Sequence, residues 1–289
     1  MVLSLRKAAR RLALLPAAAA VLLLCLLRTP DSAPAARQPG TQLRVVMYHG
    51  LTQKKSETGR YVIEADLFRR DLEYFRRSGY TVVSMQQVYD AVAGSRPLPE
   101  RAVLLTFDDG LYSVYLYAYP LLEEYDACLL FAPIGRVTDQ YTDSRDRNPS
   151  YAYCGWQELR EMQRSGRVEI AGHSYDCHSI GQGAQGIAPR RGETQAAWRL
   201  RIAADLGRMQ QTAVQQLGAA PRVFVYPFGA VPPEGDALLR EAGFTATFGC
   251  ESRMNFITQD PACLYKLGRW LRPPHTDSAA FYRSIWKET

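Results

Sequence analysis

The sequence has no Cys-x-x-Cys pair, no internal repeat and only four histidines in 289 residues. The missing cysteine pairs exclude a four-thiolate zinc module. Charge of one sign is scarce in the body of the chain. The formal net charge is +6, but residues 1–37 hold six basic residues (Arg6, Lys7, Arg10, Arg11, Arg28, Arg37) and one acid, Asp31, which leaves 29 basic against 28 acidic residues in the remainder. A nucleic-acid surface needs a basic stripe on the folded body itself, so nucleic acid is not an expected partner. Hydrophobic residues make up 47% and charged residues 22%. That balance excludes collagen-like, wholly disordered and polytopic membrane chains.

What is present begins with a leader. Arg6, Lys7, Arg10 and Arg11 precede an apolar run over residues 12–27. A basic flank before an apolar segment is an export signal. The run is short against the roughly 20 residues of a spanning helix, so residues 1–28 read equally as a cleaved signal peptide or an N-terminal membrane anchor. Ala33-Pro34-Ala35 offers a small-x-small cleavage site, and Cys25 is an ordinary apolar filler. Residues 29–42, with three prolines, form a flexible linker. The body, 43–289, is expected outside the cytoplasmic membrane, secreted or anchored. It should touch the membrane only through the N-terminal segment and be a monomer. Cys128, Cys154, Cys177, Cys250 and Cys263 follow Cys25. In an oxidising compartment they form one or two disulfides, Cys250–Cys263 closing the shortest loop, or remain buried thiols; spacing leaves both open.

Within the body, short apolar strands at 43–48, 81–84, 102–107, 128–134, 168–171, 223–226, 245–248 and 265–271 alternate with helical patterns at 64–78, 85–92, 112–126, 156–165, 196–217, 233–242 and 278–286. Alternation of this kind predicts a parallel sheet with helical crossovers. So many strands in one body favour an α/β fold of the (β/α) barrel type, deformed or incomplete, over an open sheet. Residues 136–155 read as a long polar loop. In a barrel, working residues sit at the C-terminal ends of strands, and the polar clusters fall there: His49, Asp108-Asp109, His173 and Pro227-Phe228.

Asp108 and Asp109 leave one strand as neighbours and so point in different directions. One carboxylate can bind a metal while the other faces substrate as a base. His173 and His178 supply two imidazoles. A carboxylate with two imidazoles and an open position suits zinc and other borderline divalent ions. Asp108-Asp109-Gly110 alone is commonly a turn, and a histidine pair alone is commonly a solvated loop; together, on strand ends, they make a metal site.

Thr106-Phe107-Asp108-Asp109-Gly110, His173-Ser174-Tyr175-Asp176-Cys177-His178 and Tyr226-Pro227-Phe228-Gly229 resemble, in order, three motifs of the polysaccharide deacetylases, the NodB-homology or carbohydrate esterase family 4 enzymes. The resemblance runs over about residues 43–285 and includes Val46-Met47-Tyr48-His49. It implies a deformed (β/α) barrel of the NodB type and a metal-dependent hydrolase that removes N-acetyl groups from amino sugars of a cell-envelope or extracellular polysaccharide. It further implies Asp109, His173 and His178 as ligands of one divalent ion, zinc first, with cobalt or nickel also suitable. Asp108 would be the general base, and the backbone N–H of Phe228 an oxyanion donor. Substrate-facing residues would be Tyr226, Pro227 and Arg269; Trp156, beside the long polar loop, would either stack on a sugar ring or pack in the core. Val225 stands where the family carries an arginine, so Arg269 or Arg272 is expected to orient Asp108 instead. The general acid is His49, at a strand end, or His275. Two rival readings are an inactive glycan-binding domain of the same fold and an amidohydrolase for a non-carbohydrate N-acyl compound; loss of Asp108 or of a ligand would have favoured the first.

Overall fold

The computed structural model describes residues 40–181 and 183–286. The leader and most of the linker lie outside them. Among the described residues no helix is long and apolar enough to cross a membrane.

Strand β1 (Thr41–Tyr48) pairs in parallel with β5 (Ala102–Asp109), which pairs with β6 (Leu129–Pro133), which pairs with β7 (Val168–Ile170). The next seam is a single bridge, Gly172 to Phe224, leading into β10 (Val223–Val225) and its parallel neighbour β11 (Ala246–Phe248). A second single bridge, Phe248 to Leu267, leads to β13 (Trp270–Leu271), which pairs in parallel with β1. Seven parallel strands thus close on themselves, with two thin seams: a deformed (β/α) barrel. Four short strands flank the barrel core: β2 (Gly50–Thr52) pairs with β3 (Val62–Glu64), β4 (Thr81–Val82) pairs with β5, and β12 (Asn255–Ile257) runs antiparallel along the start of β1. The hairpin β8 (Ile180–Gly181) with β9 (Ala184–Gln185) follows the histidine pair.

The near-continuous apolar run of β5 is explained by burial on both faces. Val103, Leu105 and Phe107 pack outward against helix α1 (Ala65–Arg77) through Phe68, Leu72 and Phe75. Leu104 faces inward with Val45, Leu130, Val225 and Phe248. Met85, Val88 and Val92 of α2 (Met85–Val92) join that inner cluster, so apolar packing fills the barrel and leaves the polar chemistry at its other end. The remaining α-helices among the described residues are α3 (Tyr119–Glu124, after a π-turn at Val114–Ala118), α4 (Gly135–Ser144), α5 (Trp156–Arg164), α6 (Gln195–Leu217), α7 (Gly235–Glu241) and α8 (Ser278–Trp286).

Two expectations are corrected and a third, left open by the sequence, is decided. The polar stretch read as a loop begins with α4. Its apolar stripe is too thin to announce a helix, and tertiary hydrogen bonds hold it: Asp139 accepts from the Trp156 indole at 2.7 Å and from the Tyr175 hydroxyl at 2.6 Å, and Thr142 Oγ1 accepts from the Trp156 backbone N–H at 2.9 Å. The chain enters the sheet at Thr41, inside the stretch read as linker. All five described cysteines are free; Cys250 Sγ lies 3.7 Å from Met47 Sδ and Cys263 Sγ faces the Thr258 carbonyl at 3.6 Å, so the Cys250–Cys263 bridge is not formed.

Candidate active site

The strand alternation that sends Leu104 and Thr106 inward also sends Asp108 inward, at the barrel mouth. A regular pleat would turn Asp109 away. Instead Asp109 has φ 71° and Gly110 φ 93°, and this left-handed turn brings both carboxylates to the mouth. Gly110 is required twice over, since a Cβ there would lie 2.8 Å from Pro133 Cβ. Ser174 (φ 68°) and Phe228 (φ 59°) are left-handed as well. Non-glycine residues held in this region cost of order 1–3 kcal/mol each, and such strain gathers at functional sites.

His173 follows the Gly172 seam, where a Cβ would meet Met209 Cε at 2.5 Å. Gly172 donates to the Val223 carbonyl and accepts from the Val225 N–H, both at 2.8 Å. The same bridge orients the His173 ring: Nδ1 lies 2.8 Å from the Val225 carbonyl, which makes Nδ1 the protonated nitrogen and leaves the Nε2 lone pair toward Asp109. The residues between the two histidines form a braced turn. Asp205 of α6 accepts from the backbone N–H groups of Tyr175 (2.8 Å) and Asp176 (2.7 Å), and Ser174 Oγ accepts from the Cys177 N–H. That turn accounts for the spacing His173-x-x-x-x-His178.

The result is a convergence. Asp109 Oδ1 lies 3.5 Å from His173 Nε2 and 3.2 Å from His178 Nε2, and one donor atom from each of the three residues falls within 4.8 Å of the others. A carboxylate and two imidazoles in contact fit a single divalent ion with positions left open.

Asp108 is 3% exposed and faces Arg269 fork to fork, Nη1–Oδ1 at 2.7 Å and Nη2–Oδ2 at 2.8 Å. The other guanidinium donors go to the Gly249 carbonyl (2.8 Å), Thr106 Oγ1 (3.1 Å) and Cys250 Sγ (3.6 Å). Burial raises the Asp108 carboxyl; the charge and hydrogen bonds of Arg269, with His173 and His49, hold it below its ordinary value. Of the two arginines expected to orient Asp108, Arg269 does so. Arg272 instead grips Asp71 of α1.

His49 follows β1 at the same mouth. Burial dominates and lowers its pKa below the ordinary histidine value, the carboxylates of Asp108 and Asp109 opposing it only in part. His275 is exposed, with Nε2 3.1 Å from Thr58 Oγ1. The substrate-facing assignments are largely corrected. Arg269 is fully buried as the partner of Asp108. Trp156 is buried, its indole N–H donated to Asp139. Tyr226 is fully buried with its hydroxyl on Asp236 at 2.8 Å, and Pro227 is buried beside it. Phe228 alone of that turn is open, 38% exposed, its ring 4.3 Å from that of His178.

The comparisons with known proteins agree with this geometry. The family model for polysaccharide deacetylase matches residues 95–247. A poly-β-1,6-N-acetyl-D-glucosamine N-deacetylase of Escherichia coli (strain K12) is 30% identical over 233 residues, 74% of this chain and 34% of that protein. The protein of the same name from Staphylococcus aureus (strain MSSA476) is 23% identical over 156 residues, 54% of this chain and 50% of that one. The chain therefore spans a third to a half of these relatives. Among solved structures, a de-N-acetylase from Aggregatibacter actinomycetemcomitans superposes with TM-score 0.73 at 28% identity, covering 84% of this chain and 99% of that one. IcaB from Ammonifex degensii gives 0.70 at 28%, covering 88% and 99%. The chain belongs to the polysaccharide deacetylase family.

Proposed function

We propose that the chain is a metal-dependent N-deacetylase acting on an N-acetylglucosamine polymer outside the cytoplasmic membrane. The β-1,6-linked polymer named for its relatives is the first substrate to try. The observation that carries this reading is the meeting of Asp109, His173 and His178 beside the Arg269-bound carboxylate of Asp108.

Asp109, His173 and His178 would hold the ion, zinc by preference for this donor set, with cobalt or nickel also suitable. The chemistry such an ion supplies is Lewis-acid polarisation of the acetyl carbonyl and acidification of water. The chain does the rest. Arg269 keeps Asp108 ionised and in one orientation, so its carboxylate can take a proton from the attacking water. The backbone N–H of Phe228 donates to the carbonyl oxygen as it becomes anionic. His49 gives a proton to the departing nitrogen, and acetate and a free amino sugar leave. Residues 1–28 serve as export signal or anchor and 29–40 as tether, which puts the body where such a polymer lies.

Acetate release from β-1,6-linked N-acetylglucosamine oligomers tests the reading. Release that a chelator abolishes and added zinc restores is the expected result. Metal-replete protein that binds the oligomers and releases no acetate would overturn it in favour of a glycan-binding domain.

A further inference from the structure

Tyr61 sits at the rim of the site, just before β3. It is 48% exposed, and its ring centroid lies 4.7 Å from that of His49. The ring is not on a loose loop. Gly50, the residue after His49, donates its N–H to the Tyr61 carbonyl at 2.9 Å, and Gly59 and Val62 exchange hydrogen bonds of 2.9 and 3.1 Å. The preceding loop is tied at two further points: Glu57 accepts from Thr52 (3.1 Å), Lys54 (2.8 Å) and Ser150 (3.1 Å), and Thr58 meets His275 at 3.1 Å. Below the ring, His49 Nδ1 is buried with no hydrogen-bond partner. An aromatic ring is therefore held, half exposed, at a 51° tilt beside an imidazole that still has a hydrogen bond to make, with the Arg60 guanidinium 5.3 Å from the ring centroid, while Trp156 and Tyr226 are buried and offer no sugar platform.

The C–H face of a pyranose carries partial positive charge and the face of an aromatic ring partial negative charge, so the two stack. We propose that Tyr61 is a specificity residue of the glycan site, packing on the sugar whose acetamide nitrogen faces His49. The inference rests on the deacetylase reading and names the part of the site that recognises the pyranose.

Steady-state acetate release from the oligomers by the full metal-loaded chain separates binding from chemistry. Tyr61→Ala is expected to raise KM about tenfold with kcat changed less than about threefold, because a stacking contact is made in ground and transition states alike. Tyr61→Phe, which keeps the ring, should restore KM. Titration of Asp108→Asn protein with the same oligomers, with and without Tyr61→Ala, gives affinity without turnover; the added substitution should weaken binding by about the same factor. Unchanged KM and unchanged affinity in Tyr61→Ala overturn the proposal, as does a loss confined to kcat, which would place the ring's effect on His49. Wild-type protein that releases no acetate refutes the deacetylase reading separately, and the titration then decides on Tyr61 alone.

Discussion

Asp108 and Arg269 are 161 residues apart and meet through two parallel hydrogen bonds of 2.7 and 2.8 Å in a fully buried pair. All the guanidinium donors are engaged by this carboxylate, a hydroxyl, a thiol and a carbonyl, so Arg269 is a fixed support that does not reach the substrate. Bidentate charge-assisted pairs of this kind fix orientation as well as charge. A buried carboxylate without its arginine would drift upward in pKa.

The first prediction concerns that pair. Asp108→Asn should retain metal and lose activity by about 10² or more. Arg269→Met should also lose activity, and the acid limb of its kcat/KM profile should move to higher pH, because the base then ionises later. The double variant should be hardly worse than Asp108→Asn, since the arginine acts through the carboxylate. An unshifted acid limb in Arg269→Met would remove Arg269 from this role.

Much of this site could be read from the sequence because its parts are local. Asp108-Asp109-Gly110 and His173 to His178 are short runs at strand ends, where chemistry type and position coincide. What could not be read depends on distance and burial. Nothing local distinguishes Arg269 from Arg272, three residues on; the inward face of one late segment decides it, and that segment joins β11 by a single bridge at Leu267 and β1 over only two residues. Trp156 looked available because its neighbourhood is polar, yet α4 covers it. Tyr61 lies in an unremarkable loop, and only the closeness of its ring to His49 marks it. The family match, residues 95–247, likewise contains neither His49 nor Arg269.

A second prediction concerns stability. Asp71 and Arg272 are both fully buried, paired at 2.8 and 2.9 Å, and Asp71 also accepts from Ser278 (2.6 Å) and Tyr48 (2.9 Å). The cluster fastens α8 and the end of β1 to α1. Asp71→Ala strands a buried guanidinium and should cost about 3–5 kcal/mol, read from the midpoint of urea unfolding. A cost below about 1 kcal/mol would mean that water or another acid satisfies Arg272.

The third prediction concerns the thiols. Burial pushes Cys128 up to about 11 and Cys177 up to about 12. Only about 10⁻³ of the Cys128 thiol is thiolate at pH 8, so native-state alkylation should be slow there and rise about tenfold per pH unit toward pH 10. The sign for stability follows. Above about pH 9 unfolded thiols lose protons that the folded chain keeps, so stability falls as pH rises from 9 through 11 to 12. Rapid alkylation of Cys128 or Cys177 at pH 8, in protein that unfolds only in denaturant, would contradict this environment.

The last prediction decides between two histidines for the proton given to the amine. His49 sits at the end of β1, where its ionisation responds to both Asp108 and Asp109, and its ring backs on Tyr61. His275 is on the surface, and its ring partner is the hydroxyl of Thr58. A group that donates a proton in the transition state must come within hydrogen-bond reach of the leaving atom, and of these two only His49 shares the mouth with Asp109, His173 and His178. His49→Ala should therefore lower kcat by about 10² or more while leaving bound metal unchanged, and His275→Ala should stay within about threefold of wild type. A weakly basic leaving group needs less help from an acid, so the His49→Ala defect should shrink on an acetyl ester relative to an N-acetyl sugar. A defect of equal size on both substrates would assign His49 to the attack step, and a large loss in His275→Ala would return the acid to the 272–276 turn.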